Sequence, residues 1–111
     1  KEFLMFPFET MSAKMLDDYV GRKDALIIDL RGQEEYEKSH VKGAFNMPYE
    51  RYMETGSLSM ELSKGKILVF YCDRGGASLK VAKELAVKGY RTRSVIGGFH
   101  AYRGRNLVIS G

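Results

Sequence analysis

The sequence ILVFYCDRGGASLKVAKELAVKG, Ile67–Gly89, contains an apolar run, a glycine-containing loop and an amphipathic segment in direct succession. The apolar run is too short and too uniformly apolar for an exposed helix, which predicts a buried strand over 66–71. Residues 77–88 have apolar and charged side chains at helical spacing, and Gly89 follows, which predicts a helix and its end. Strand, loop and helix in this order are typical of an α/β domain.

The same alternation extends through the rest of the chain, where apolar strand patterns are interleaved with helical ones. The sequence predicts a helix at 13–20 with Ser12 as N-cap, strands at 25–30, 45–47, 92–96 and 107–109, helices at 33–38 and 49–54, and a turn or short helix at 98–102. Short buried strands separated by helices predict a mainly parallel sheet with helices on both faces. The length, 111 residues, predicts one domain spanning 1–111.

Cys72 is the only cysteine and directly follows the predicted strand 66–71. Backbone N–H groups of the following loop and first helical turn lack helical partners, and with the helix dipole they stabilise an anion. Ligands of such sheets bind beyond the carboxyl ends of the strands. Cys72 is therefore a candidate nucleophile, in a setting that favours a thiolate. The structural alternative is a buried cysteine that packs as a small hydrophobe.

Charge is distributed unevenly along the chain, although the net charge is only +4. Residues 1–63 carry eight Lys or Arg against twelve Asp or Glu, whereas residues 64–111 carry ten against two. A basic half that contains Cys72 would attract small anions, although a solvated basic surface would have the same composition. The basic residues show no interleaved aromatic pattern, so no nucleic-acid partner is predicted.

Several classes of protein are not indicated by the composition. The longest apolar runs are far shorter than the ~18 residues of a membrane-spanning helix, so no membrane association is expected. His40 and His100 are isolated, and no metal site or cofactor is predicted. A single cysteine cannot form an internal disulfide, which fits a reducing, cytoplasmic location.

Three segments together resemble the rhodanese family, the thiosulfate sulfurtransferase-like domains, over nearly the whole chain. The first is IIDLRGQEEYEKSHVKGAFNMP, Ile27–Pro48, which is similar to the aspartate-x-arginine strand end and the histidine-x-x-glycine-alanine-x-asparagine-x-proline signature. The second is ILVFYCDRGGAS, Ile67–Ser78, similar to the active-site strand and loop. The third is VIGGFHAYRG, Val95–Gly104, similar to a late glycine-glycine-aromatic turn.

The resemblance implies a rhodanese-like fold with a five-stranded parallel sheet and a sulfurtransferase activity. It implies that the Cys72 thiolate attacks the outer sulfur of thiosulfate, expels sulfite and retains the sulfur as a persulfide. A thiol acceptor, either a small thiol or a protein thiol, then takes that sulfur. The donor would be a small anion bound by the loop residues Asp73, Arg74, Gly75, Gly76, Ala77 and Ser78. Their N–H groups would surround the terminal sulfur, with Arg74 beside a sulfonate oxygen.

The loop also departs from the family pattern, and the departure leaves alternatives open. Many single-domain members have an arginine at the position of Ala77, and Asp73 disfavours a dianionic donor. The donor is therefore thiosulfate or another persulfide donor, and the alternative function is a non-catalytic rhodanese-like binding or regulatory module. Phosphatase or arsenate reductase chemistry is disfavoured, because Ser78 stands where those enzymes need an arginine. Asp29, Arg31 and His40 are interpreted as scaffold.

Overall fold

The computed structural model describes residues 8–56 and 64–110. Within these ranges the strands are β1 (Phe8–Met11), β2 (Ala25–Asp29), β3 (Ser39–Val41), β4 (Phe45–Asn46), β5 (Ile67–Tyr71), β6 (Arg91–Val95) and β7 (Leu107–Ile109). The helices are α1 (Gln33–Lys38), α2 (Tyr49–Thr55) and α3 (Gly76–Val87), with 3-10 helices at Ala13–Asp18 and Phe99–Ala101. Most elements begin and end within two residues of the bounds that the sequence predicts.

Five strands form one parallel sheet in the order β1-β6-β5-β2-β4. β5 lies at the centre, paired with β2 on one side and β6 on the other. The remaining strands, β3 and β7, form a separate antiparallel pair. The predicted α/β fold with a five-stranded, mainly parallel sheet is confirmed, and it places the end of β5 beside the ends of β2 and β6.

Both faces of the sheet are covered, because alternate side chains of the central strands point to opposite sides. Val69 and Tyr71 pack in one buried cluster with Leu16 of the first 3-10 helix. Leu68 and Phe70 pack in the other, which includes residues of α2 and α3. The prediction of helices on both faces is thus confirmed. No helix within 8–56 or 64–110 has the length and apolar character to cross a membrane.

Two strands were not predicted, and one helix differs from its prediction. Among the described strands β1 is an edge strand that pairs with β6 alone, and its Glu9 and Thr10 are exposed, so its sequence lacks a buried apolar run. β3 has three residues and pairs only with β7, far away in sequence. The helix predicted at 13–20 is a 3-10 helix that ends at Asp18, and the Ser12 side chain makes no capping hydrogen bond.

Candidate active site

The side chain of Cys72 lies at the carboxyl edge of the sheet, between the end of β5 and the start of α3. Cys72 is only 6% exposed, and its Sγ accepts hydrogen bonds from the N–H groups of Gly75, at 3.0 Å, and Ser78, at 3.4 Å. Gly75 precedes α3 with φ +109°, a conformation that L side chains rarely adopt. The loop therefore turns its amides toward the sulfur, where they and the N-terminus of α3 favour an anion.

The side chain of Ser78 does not line the cavity and instead stabilises the loop through hydrogen bonds. Its Oγ donates to the carbonyl oxygen of Gly75 at 3.1 Å and lies 2.9 Å from Oγ of Ser94 on β6. Both serines are buried. Ser94 can donate to Ser78, while Ser78 donates to Gly75, so each hydroxyl proton has an acceptor. The sequence did not single out Ser94, because only the pairing of β5 with β6 brings it under the loop.

The late glycine-glycine turn packs directly against the backbone of the loop. The N–H of Phe99 donates to the carbonyl oxygen of Cys72 at 2.7 Å, and the N–H of His100 donates to that of Asp73 at 3.0 Å. Gly98 has φ +60°, and a Cβ there would collide with the carbonyl oxygen of Cys72. Because residue 98 is glycine, the turn can approach the loop closely enough for the hydrogen bonds to both carbonyl oxygens to form.

A cavity of about 480 Å³ opens at Cys72 between two walls. Residues of the loop and of the start of α3 form one wall, and the connection from β2 to α1 forms the other. The lining residues are Leu30, Arg31, Gly32, Glu35, Cys72, Asp73, Arg74, Gly76 and Ala77. Five of the seven residues proposed from the sequence line it, while Gly75 and Ser78 contribute the N–H groups behind the sulfur.

Glu35 was not predicted as a site residue, although a signal existed. β2 is the sheet neighbour of β5, so the residues that follow β2 lie across the crevice from Cys72. Glu35 lies in the helix that follows, α1. If β2 and β5 had been predicted as neighbouring parallel strands, the residues after β2 would have been expected to lie across from Cys72. The sequence alone does not determine the strand order.

Asp29 and Arg31 form a buried ion pair at the cavity wall, which Arg31 lines. The Arg31 guanidinium donates to both carboxylate oxygens of Asp29, with Nη2 2.8 Å from Oδ2, and Asp29 is fully buried. Burial alone lowers the pKa of Arg31, but the hydrogen bonds and charge of Asp29 outweigh it and raise that pKa overall. The pairing agrees with the scaffold interpretation.

His40 also lies in a structural setting. Its ring stacks on Tyr36, with centroids 3.9 Å apart, and its Nδ1 lies 2.7 Å from the carbonyl oxygen of Tyr36. The Tyr36 hydroxyl donates to the carbonyl oxygen of Ala44 at 2.5 Å, and burial raises the pKa of Tyr36. The signature histidine therefore organises the connection between α1 and β4, consistent with the scaffold interpretation.

The charge at the cavity is mixed rather than positive. Asp73 and Arg74 are both nearly three-quarters exposed, and Arg74 Nε lies 3.8 Å from Asp73 Oδ2. Arg31 is neutralised by Asp29, and Glu35 adds a further carboxylate. The basic character of residues 64–111 is therefore not concentrated on the walls around Cys72, within the part of the chain that the structure describes.

These features define an α/β domain with a cysteine on the carboxyl edge of a parallel sheet, in a loop whose N–H groups donate to the sulfur. The chain belongs to the rhodanese-like domain family, whose sequence profile matches residues 12–105. A crystal structure of a rhodanese-like domain protein from Staphylococcus aureus is similar in fold, with a TM-score of 0.75 and 24% identity over 93% of this chain and 99% of that one.

Two curated proteins are similar in sequence to this chain. The chain is 31% identical over 87 residues to thiosulfate sulfurtransferase GlpE of Coxiella burnetii, with 78% of each chain covered. It is 36% identical over 80 residues to a tRNA sulfurtransferase of Desulfurococcus amylolyticus, covering 72% of this chain and 15% of that protein. This chain therefore spans only a small part of the second relative. Both relatives are named as sulfurtransferases.

Proposed function

We propose that this protein is a sulfurtransferase that carries a sulfane sulfur on Cys72 as a persulfide. In the first step the Cys72 thiolate attacks the outer sulfur of thiosulfate or of another persulfide donor. A bond forms between Cys72 Sγ and that sulfur, the donor's sulfur–sulfur bond breaks, and sulfite or a thiolate leaves with the electron pair. In the second step an acceptor thiol takes the outer sulfur and Cys72 is released as a thiolate.

The observation that carries this proposal is the pair of N–H groups, from Gly75 and Ser78, that reach Cys72 Sγ at the bottom of an open cavity. Hydrogen bonds to an ionised group are stronger than those to a neutral one, so these donors favour the thiolate. They also stabilise Cys72 as the leaving group of the second step. Gly76 and Ala77 line the cavity near the sulfur, and the absence of large side chains there leaves room for one more sulfur atom.

Arg74 is the residue available to a sulfonate oxygen of thiosulfate. It lines the cavity, and its exposed side chain is only loosely associated with Asp73. The neighbouring carboxylate weakens that attraction, so we keep both thiosulfate and other persulfide donors in the proposal.

The proposal is tested by intact-mass measurement of the reduced protein after incubation with thiosulfate and, separately, with inorganic polysulfide. Peptide mapping then locates any added sulfur, and Cys72→Ser is the matched control. One added sulfur on Cys72, absent in the variant and removed by cyanide as thiocyanate, is the expected result. No adduct with either donor would contradict the proposal.

A second candidate is a non-catalytic binding or regulatory module, favoured by Ala77, an uncharged residue of the cavity wall that cannot attract an anionic donor. The same experiment separates the two functions, because a module would acquire no sulfur from either donor.

A further inference from the structure

We infer that Glu35 is a specificity-determining residue and that the cavity at Cys72 selects acceptor thiols carrying a protonated amine close to the sulfur. This inference rests on the proposed function, because it concerns the second step of that reaction. The acceptor class is an aminothiol, either free or presented by a larger molecule, in preference to a thiol that carries a carboxylate.

Charged side chains surround the opening of the cavity. In the described ranges, 8–56 and 64–110, the ionisable side chains lining it besides Cys72 are Arg31, Glu35, Asp73 and Arg74. Arg31 is bound to Asp29, at 2.8 Å, and its positive charge is already compensated. The three remaining side chains are two carboxylates and one guanidinium, which leaves an excess of one negative charge.

The two carboxylates belong to opposite walls of the cavity. Glu35 belongs to α1 and is exposed, whereas Asp73 immediately follows Cys72 in the loop. Arg74 Nε lies 3.8 Å from Asp73 Oδ2, so the positive charge of Arg74 offsets the negative charge of Asp73 on the loop side of the cavity. On the opposite wall Arg31 is already paired with Asp29, so among the described lining residues Glu35 has no free cationic side chain on its own wall.

The second step brings a negative charge into this opening. The acceptor thiolate attacks the outer sulfur of the Cys72 persulfide, a new sulfur–sulfur bond forms, and the bond to Cys72 Sγ breaks. The electron pair of that bond stays on Cys72, whose thiolate accepts hydrogen bonds from the N–H groups of Gly75 and Ser78. A protonated amine on the acceptor offsets repulsion between the attacking thiolate and Glu35, whereas a carboxylate adds to it.

The test uses persulfidated protein, prepared with inorganic polysulfide and freed of excess donor, and three small thiols of similar size. These are cysteamine, which carries an amine, 2-mercaptoethanol, which is neutral, and 3-mercaptopropionate, which carries a carboxylate. Loss of the added sulfur from Cys72 is followed by intact mass to give a rate constant for each thiol. The ratio of the cysteamine to the 3-mercaptopropionate rate constant is then compared between variants, which cancels the intrinsic reactivity of each thiol.

Glu35→Gln should lower that ratio about two- to fivefold, because an exposed charge pair is a weak interaction. Glu34→Gln is the matched control, since Glu34 is an exposed residue of the same helix and is not a lining residue. It should leave the ratio unchanged. Raising the salt concentration should lower the wild-type ratio toward that of Glu35→Gln, because screening weakens exposed charges.

Equal ratios in the wild type and Glu35→Gln would overturn the inference while leaving the persulfide mechanism intact. An equal fall in Glu34→Gln would also overturn it, because the effect would then belong to the general charge of α1. Failure of Cys72 to take up any sulfur would overturn the proposed function and this inference together. Sulfur uptake is therefore measured by intact mass before any acceptor thiol is added.

Discussion

Arg31 binds the carboxylate of Asp29 while its guanidinium carbon lies 3.9 Å from the centroid of the Phe99 ring. The same guanidinium lies 5.8 Å from the ring centroid of Tyr71, the residue before Cys72. Asp29, Tyr71 and Phe99 come from three segments that are distant in sequence. One side chain therefore connects the end of β2, the end of β5 and the turn that supports the cysteine loop.

Arg31→Ala should destabilise the fold strongly, because it leaves the fully buried carboxylate of Asp29 without its cation. Removing one partner of a buried ion pair costs about 3 to 5 kcal/mol. Arg22→Ala is the matched control, since Arg22 and Asp24 form a pair of similar geometry, 2.7 Å, at the surface. That change should have little effect on stability, because exposed ion pairs are weak. Urea unfolding measures both, and equal losses would contradict the assignment.

Gly98→Ala should disrupt the cysteine loop, since a Cβ at this position collides with the carbonyl oxygen of Cys72. Backbone strain and overpacking together should cost about 3 kcal/mol or more. Gly43→Ala is the control for strain alone: Gly43 has φ +82°, and a Cβ there meets no described atom within 4 Å. It should cost about 1 to 2 kcal/mol and leave persulfide formation on Cys72 unchanged. Undiminished persulfide formation in Gly98→Ala would contradict the supporting role of the turn.

Ser94→Ala should slow persulfide formation about tenfold, which corresponds to about 1.4 kcal/mol of lost stabilisation. The Ser94 hydroxyl is hydrogen-bonded to the Ser78 hydroxyl, which in turn donates to the carbonyl oxygen of Gly75. Losing Ser94 should therefore disturb the loop that presents the N–H groups to Cys72 Sγ. The measurement is the single-turnover rate of sulfur uptake from polysulfide at saturating donor.

Thr92→Val is the control for Ser94→Ala, because Thr92 is a buried residue of the same strand whose hydroxyl donates to the carbonyl oxygen of Ala82 at 2.9 Å. Both variants should lose about 1 to 3 kcal/mol of unfolding free energy. Only Ser94→Ala should lose uptake rate, and a similar loss in Thr92→Val would show that the effect is global.

Tyr102→Phe should reduce stability in a pH-dependent way through Asp17. The pKa of Asp17 is lowered by hydrogen bonds from the Tyr102 hydroxyl, at 2.5 Å, and from Asn106. A lowered folded-state pKa contributes stability above the unfolded pKa, about 3.9, and this stability is lost as pH falls through the folded-state value. The variant should therefore lose about 1 to 3 kcal/mol at neutral pH. The difference from wild type should narrow below about pH 4; a constant difference from pH 7 to pH 2 would contradict the coupling.

The sequence predicted the centre of the fold better than its edges. β2 and β5 are buried on both faces and have local apolar signals, and α3 has opposite apolar and charged faces. β1 is an edge strand with exposed polar residues, so no local pattern marked it.

The strand, loop and helix around Cys72 were predictable together, since they are contiguous in the sequence. Glu35 and Ser94 were not, because their positions depend on which strands neighbour β5. Strand order follows from long-range packing, which a pass along one chain does not provide.

Transfer of a sulfur atom through Cys72 is measured with donor labelled with heavy sulfur at the outer position. The protein is loaded, separated from the donor and mixed with cysteamine, and the label is followed by mass spectrometry on Cys72 and on the thiol. We expect label to leave Cys72 as labelled cysteamine persulfide appears in equal amount, and Cys72→Ser to yield none. Label that never enters Cys72, or that enters and is not passed to the thiol, would contradict this expectation.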